Sequence, residues 1–387
     1  MTGSHDVIVI GAGIVGAACA RACAAQGLKT LVVDASGVGG GATAAGMGHI
    51  VVMDDSPAQL ALTRRSQQLW GAIAAEMPAE VEFELRGTLW VAADQEEMQE
   101  VLRKQTVYAA AGIETEVLDA RNLAEAEPNL RPGLAGALRV PSDAVLYPPA
   151  AAAFLLRQAM DLGAKLLAPQ RVVTAAGGQV GLEDGSRLYA GRIVNACGAD
   201  AIRFLPELPI RKRRGHLLIT DRYPDFVHHQ LVELGYLKSA HSVAGDSAAF
   251  NVQPRQTGQI LIGSSREFDA EDTSVNHSLL GAMLRRAESY LPGIGRLRAI
   301  RVWTGFRAAT PDKLPLIGPW PDDPSLLLAT GHEGLGITTS LATGELVAAE
   351  IAGVRPEIAA EPYLPGRFGD GVRSDSESML FGEAAYD

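Results

Sequence analysis

In "GAGIVG" the glycines fall at Gly11, Gly13 and Gly16, with Ile14 between the last two, and an acid follows at Asp34. At a pyrophosphate, glycines at this spacing have three jobs: a tight turn, close approach of backbone to phosphate, and close packing of a helix on a strand. Asp34 lies 23 residues after Gly11, where a carboxylate accepts hydrogen bonds from a ribose diol and disfavours a 2′-phosphate. A second constellation lies in "RVWTGFRAATPDKLPLIG", where Arg307 stands between Phe306 and two alanines in an apolar stretch. A guanidinium does not shed its charge, so Arg307 must reach solvent, pair with a neighbouring acid, or meet an anionic ligand.

The elements that position these residues can be read from periodicity. "DVIVI", a helix to about Gln26 and "KTLVVD" make a strand, helix and strand around the glycine turn, the βαβ setting that the fingerprint requires. The apolar run "DVIVIGAGIVGAACARACAAQG" is long enough to suggest a leader or a membrane span, but Asp6 precedes it, Arg21 interrupts it and no cleavage-like site follows. The expectation is buried structure in a cytoplasmic protein without a transmembrane segment. From Ser56 the pattern changes to an amphipathic helix, a strand-like "VEFELRGTLWVA", a charged helix from Asp94 to about Ala111 and a short strand "IETEVL". Strand character returns in "GRIVNACGAD", and again from Pro206 to about Pro319 around one helix, about Asn276 to Tyr290.

The chain has 387 residues, 47% of them apolar, enough for two or three domains at roughly 150 residues each. It has 34 basic and 45 acidic residues, a net charge of −11, which repels phosphate backbones and argues against nucleic acid as a partner. Three cysteines, Cys19, Cys23 and Cys197, read as small buried residues, and no matching His or Cys spacing supports a metal site.

Two further glycine turns favour FAD over a nicotinamide cofactor. "SGVGGGATAAGMGH" brings Ala42, Thr43, Gly46, Met47 and His49 directly after the ribose acid, in a loop that lets backbone approach a ligand. "TGHEGLGITTSLATGELVAAEI" places Gly331, His332, Gly334, Leu335, Gly336, Ile337 and Thr338 at a turn that opens a helix. The positive end of such a helix suits negative charge near a flavin ring.

Taken in order with "VVDA", "VVTA" and "IVNACGA", these segments resemble the D-amino-acid oxidase, glycine oxidase and sarcosine oxidase family of FAD-dependent amine oxidoreductases. "GMGHIVVMDDSP" and "GHEGLG" look most like the FAD-binding β subunits of multi-subunit dehydrogenases acting on D-hydroxyproline, proline or opines. The resemblance implies an α/β fold: a discontinuous Rossmann-like FAD-binding domain (1–55, 145–205 and 320–362), an inserted α+β substrate domain on a mixed sheet (56–144 and 206–319) and a tail (363–387). It adds Val172 and Gly198 to the cofactor contacts, and assigns Arg307 to the substrate carboxylate, with His49 and His332 near the reacting centre. The implied reaction is oxidation of an amino acid by hydride transfer from Cα to flavin N5, giving an imine.

The family's second carboxylate ligand, a tyrosine, is replaced by Phe250 and Asn251, for which Tyr236, His241 and His216 are substitutes. No cysteine stands near "FRAATPD", so the resemblance implies noncovalent FAD. It also implies partner subunits, with FMN at a subunit junction and "RKRR", Arg211 to Arg214, offering ligands to its phosphate if the run is more than a solvated turn. A stand-alone oxidase using oxygen, a non-catalytic FAD-holding subunit and a tRNA-modifying flavoprotein domain are the competing readings; the net charge and the lack of an RNA-binding extension weigh against the last.

Overall fold

The computed structural model describes residues 4–235, 246–268 and 270–369. The chain opens with β1 (His5–Ile10), α1 (Ile14–Ala25) and β2 (Thr30–Val33), passes through the short α2 (Gly41–Ala45) and β3 (His49–Ile50), and enters α3 (Pro57–Ile73). Next come β4 (Thr88–Ala92), α4 (Gln95–Ala110), β5 (Glu116–Asp119), α5 (Ala120–Ala126), β6 (Gly136–Val140) and β7 (Ala144–Val145). After α6 (Pro148–Asp161) the chain forms β8 (Lys165–Leu167), β9 (Val172–Ala176), β10 (Gln179–Leu182) and β11 (Arg187–Asn195). A strand-rich stretch contains β12 (Arg211–Thr220), β13 (Gln230–Glu233), β14 (Ser247–Pro254), β15 (Ile260–Phe268), α7 (His277–Tyr290) and β16 (Ala299–Ala309). β17 (Leu316–Trp320), β18 (Asp323–Thr330) and α8 (Gly336–Ala352) follow.

Two sheets organise these elements. The first has the order β17-β18-β11-β1-β2-β8, with β10 and β9 extending from β11. β1 runs parallel to both β2 and β11, with Val7 opposite Thr30 and Ile10 opposite Asn195. Val7 and Val9 pack into the cluster formed with α1, α6 and α8, whereas Ile8 and Ile10 pack against Ala175, Val180 and Leu182 on the other face. A parallel strand covered on both faces must be apolar at every position, which explains the unbroken "VIVI". The apolar N-terminal run is thus β1 and most of buried α1, and among the described residues no helix is long and apolar enough to cross a membrane.

The second sheet has the order β16-β12-β15-β14-β13-β4-β6-β5 and is antiparallel except where β13 meets β4. Met283, Ala287 and Tyr290 of α7 cover one face with Phe250, Val252 and Ile262. Its other face turns toward the first sheet and contributes a wall of the cavity described below.

Helix starts divide into two kinds. Ser56, Asp94, Asp119 and Asn276 each accept a hydrogen bond from the backbone N–H three residues on, closing the starts of α3, α4, α5 and α7. Gly13 and Leu335 precede α1 and α8 without a capping side chain of their own. These two helices point their first turns at the cavity.

Several sequence expectations need correction. The strand read over "VEFELRGTLWVA" is confined to β4, because Ala79–Val81 forms a short 3-10 turn and Glu82 has φ 49, a left-handed conformation that breaks an extended run. "RKRR" is not a turn before a strand but the first half of β12. β17, placed on the substrate side of a boundary at 320, pairs with β18 in the first sheet. The tail from 363 begins packed: Tyr363 is buried and donates its hydroxyl to the Ala58 carbonyl at 2.6 Å, while Arg367 pairs with Asp312 at 2.7 Å. Residues from 370 lie outside the described residues.

Where α1 and α8 cross, a Cβ on Gly344 would sit 2.6 Å from the Ala18 carbonyl oxygen, whereas one on exposed Gly71 of α3 would meet nothing within 4 Å. Both sites gain roughly 1 kcal/mol of helix propensity from alanine, but overpacking against backbone costs roughly 1–3 kcal/mol. Denaturant unfolding should therefore show Gly71→Ala stabilised by up to about 1 kcal/mol and Gly344→Ala destabilised. Equal shifts in the two variants would contradict the helix contact.

Candidate active site

The turn after β1 is built by close backbone contacts. Gly11 has φ 105, and a Cβ there would lie 2.7 Å from the Ala196 carbonyl oxygen. A Cβ on Gly16 would lie 1.9 Å from the Gly11 carbonyl oxygen, so α1 can meet β1 this closely only with glycine at 16. Gly11, Gly13 and Ile14 line the cavity, and Gly16 lies behind the turn as its packing surface. Thr43 reaches across from α2, its hydroxyl accepting the Ile14 N–H at 3.0 Å.

Asp34 lines the same cavity but has a second task. One carboxylate oxygen accepts from Ala12 N at 2.7 Å, and the other from Ser36 N at 2.8 Å and Gly37 N at 2.7 Å. A ribose would therefore have to use the remaining acceptor capacity of a carboxylate already bracing the turn, since two carboxylate oxygens offer about four lone-pair directions.

The two later glycine turns close onto this cradle. Ala42, Thr43, Gly46, Met47 and His49 line it from one loop, and Gly331, His332, Gly334, Leu335, Gly336, Ile337 and Thr338 line it from the other. The Thr338 hydroxyl joins the loops, donating to the His49 carbonyl at 2.8 Å and accepting from Val51 N at 3.3 Å. Val172 and Gly198 complete the wall beside Asp34. The cavity measures about 610 Å³ and extends from this cradle to the face of the second sheet.

A flavin dinucleotide fits these residues. Glycine spaces at 11 and 13, a side-chain-free start to α8 and its unpaired first-turn N–H groups occupy one connected wall. A single dinucleotide fingerprint would need only the first of them.

Beyond the α8 start stands Arg307. Its Nη1 donates to the Ser265 carbonyl at 2.9 Å, and the guanidinium crosses β12 where a Cβ on Gly215 would lie 2.4 Å from Nη1. Gly215 is thus the condition for a guanidinium lying flat on the sheet. His332 and His49 also face the cavity, with Nε2 atoms 3.0 Å from Thr343 Oγ1 and 2.8 Å from Thr88 Oγ1. Burial pushes both imidazoles down to about 3, so both are neutral at physiological pH.

The substitutes for the expected tyrosine do not assemble. His216 is buried between Ser265 Oγ at 2.7 Å and Asn276 N at 3.0 Å, braces the sheet and does not line the cavity. Tyr236 and His241 lie outside the described residues. Phe250 stacks on Tyr290 in the core with ring centroids 4.5 Å apart, leaving Asn251 on the cavity wall.

The basic run also departs from expectation. Alternate strand residues point to opposite faces, and Lys212 pairs with Asp200 at 3.0 Å, Arg213 with Glu333, and Arg214 with Glu267 at 2.7 Å. Three of the four cations are therefore taken up by separate acids of this chain, while Arg211 lies over the Phe268 ring with its guanidinium carbon 4.8 Å from the centroid.

Sequence reading passed over several charged lining residues, among them Asp55, Arg266, Lys313 and Glu333. Glu333 stands at φ 51. Burial pushes its carboxyl up, but Arg213, Arg266 and Arg307 outweigh this and hold it below the usual range. An acid between Gly331 and Gly334 in a ligand-facing loop was the available signal.

Gly13→Val would fill the space at the α1 start, where even a Cβ lies 3.2 Å from Thr43 Oγ1. The expected product is a folded, colourless protein: native far-UV circular dichroism with no flavin absorbance after purification. A variant with full flavin content would remove this turn from the cofactor site.

The FAD dependent oxidoreductase family model (DAO) matches residues 6–350. Glycine oxidase of Geobacillus kaustophilus is 28% identical over 359 residues, covering 90% of this chain and 93% of that protein. Hydrogen cyanide synthase subunit HcnC of Pseudomonas aeruginosa is 26% identical over 422 residues, covering 95% and 97%. The crystal structure of the Geobacillus kaustophilus glycine oxidase superposes with a TM-score of 0.84 at 25% identity, covering 95% of this chain and 99% of that one. With the glycine cradle, the open α8 start and a family match across nearly the whole described chain, this protein belongs to the FAD dependent oxidoreductases of the DAO family.

Proposed function

We propose that the chain oxidises an amine whose adjacent carbon bears a carboxylate, releasing an imine, with noncovalently bound FAD. The observation that carries this reading is Arg307, a permanent cation laid across Gly215 beside the α8 start. A planar guanidinium fork matches a carboxylate. Similarity to a glycine oxidase supports the same substrate class.

Bound FAD supplies the acceptor for a hydride from the substrate carbon. The chain's own residues supply position and medium. Arg307 fixes the carboxylate, so that the adjacent C–H is aimed rather than free to rotate. Apolar lining from Trp90, Leu217 and Val232 of the second sheet keeps water from the reacting carbon. Neutral His49 and His332 add no positive charge to the site, and with pKa values pushed down to about 3 they act as hydrogen-bonding groups rather than as bases. Positioning carries more of the rate here than a dedicated base.

We further propose that the chain is the catalytic subunit of a multi-subunit dehydrogenase that passes electrons to partner chains. Similarity to a protein named as a subunit, HcnC, supports this reading. D-Hydroxyproline-, proline- and opine-like amines are the substrates to assay first.

Arg307→Ala should lower kcat/KM about 30-fold or more with flavin content retained, since losing one partner of a buried charge-assisted pair costs roughly 2–5 kcal/mol. Arg307→Lys should restore little, because an ammonium cannot form the fork. Unchanged kinetics in both variants would defeat the assignment. The chain alone should reduce an artificial dye much faster than it consumes oxygen, and stoichiometric peroxide at full turnover would assign it to the oxidases instead.

A further inference from the structure

We infer that Asp143 is a buried proton acceptor for the site, taking a proton released in the cavity by way of His49 and Thr88. The inference rests on the amine-and-carboxylate reading above only for the source of that proton. An amino acid in neutral water carries its amine as an ammonium, and the nitrogen must lose a proton before the adjacent carbon can give up a hydride. His49 and His332 cannot hold that proton, because burial keeps both rings neutral.

A chain of side chains leads from one of these rings to a group that can. His49, on β3, lines the cavity with its Nε2 2.8 Å from Thr88 Oγ1. Thr88 opens β4, is fully buried, and hydrogen-bonds through its side chain to the carboxyl of Asp143. Asp143 is 1% exposed in the turn between β6 and β7, held there by the Gly87 N–H, which donates to its carbonyl at 2.9 Å. Its Oδ1 accepts from Val52 N at 3.2 Å and from Gln67 Nε2 at 2.7 Å, whereas Oδ2 is buried without a hydrogen-bond partner. A carboxylate oxygen in that position is costly, and a proton relieves the cost. Burial pushes Asp143 up to about 7, against the pull of Thr88, Val52 N, Gln67 and the Lys104 cation, so it exchanges its proton near neutrality. The other charged or titratable groups around it among the described residues are Lys104 and Tyr108 of α4 with Asp54 and Asp55. Lys104 pairs with Asp54, and Tyr108, kept neutral by burial, donates to the Val52 carbonyl at 3.0 Å.

Counting protons sets the direction of the chain. A threonine hydroxyl has one proton to give, and a neutral imidazole has one N–H. With Asp143 ionised, Thr88 donates to the carboxylate, His49 Nε2–H donates to Thr88, and Nδ1 turns a lone pair to the cavity. A proton arriving at Nδ1 is matched by two transfers, from Nε2 to Thr88 Oγ1 and from Thr88 Oγ1 to Asp143. The chain ends with Asp143 protonated and every hydrogen bond reversed, and the ring is neutral before and after, with its hydrogen moved to Nδ1. On the far side Gln67 Oε1 lies 3.4 Å from the hydroxyl of Ser142, an exposed residue next to Asp143, so the proton ends beside solvent. His332 differs: Thr343 spends its proton on the Thr339 carbonyl at 2.9 Å, so His332 Nε2 is held as the donor.

The test reads the ring by nitrogen NMR of FAD-loaded protein carrying isotope-labelled histidine, with the His49 signals identified by their loss in His49→Gln. The ring hydrogen should sit on Nε2 above about pH 7 and on Nδ1 below it. Asp143→Asn keeps an oxygen for Val52 and Gln67 but can only donate to Thr88, and should hold the hydrogen on Nδ1 at every pH. Thr88→Val should abolish the pH dependence, and Thr88→Ser should restore it. With the amine that the protein oxidises fastest, Asp143→Asn should lower kcat/KM about 100-fold near neutrality, and the loss should shrink as the pH rises and the amine arrives already neutral. A wild-type ring whose hydrogen stays on one nitrogen at every pH, or an Asp143→Asn defect of the same size at every pH, would overturn the relay. If no carboxylate-bearing amine is oxidised while the His49 hydrogen still moves with pH, the functional reading falls and the proton path stands.

Discussion

The contact of α1 with β1 sets the geometry on which the site depends. A Cβ at position 16 would lie 1.9 Å from the Gly11 carbonyl oxygen, and one at position 11 would lie 2.7 Å from that of Ala196. Backbone of β1, α1 and the end of β11 therefore meets with no side chain between. The start of α1 is held at the C-terminal edge of the parallel sheet, where strand ends leave a crevice for ligands. Thr43 and Asp34 take up the Ile14 and Ala12 N–H groups, so the turn is braced from two loops.

Glycine serves a different purpose on the second sheet. Gly215 vacates the path of the Arg307 guanidinium, and Gly305 lies opposite it, where a Cβ would meet Ala45 of α2 at 2.3 Å. The same missing side chains thus let α2 approach β16 and let a cation lie flat beneath the cavity. Glu333 links this wall to the α8 loop through Arg213, and its N–H donates to the Ala308 carbonyl at 2.9 Å. The α8 loop and the second sheet are therefore joined by both charge and backbone.

Electrostatics separates the site into two ends. Around the cradle, Asp34 serves backbone N–H groups and the α8 start offers its own. At the sheet, arginines and Lys313 collect around Glu333. His49 and His332 contribute no charge between them, since removal of their rings from water favours the neutral form.

Local sequence determined the βαβ opening, its glycine turn, most helices and the presence of an arginine in an apolar stretch, because periodicity, caps and glycine spacing act over a few residues. It could not decide which cations converge. "RKRR" is four neighbouring charges in sequence, yet strand alternation and separate acids disperse them, while Arg213, Arg266, Arg307 and Lys313 come together from three strands and a turn. His216 was read in sequence as a substitute for the missing tyrosine; the pairing of β12 with β15 turns it onto Ser265 and away from the cavity. The residue types came from the sequence, but their meeting is a matter of strand register, and register is a long-range property fixed by packing.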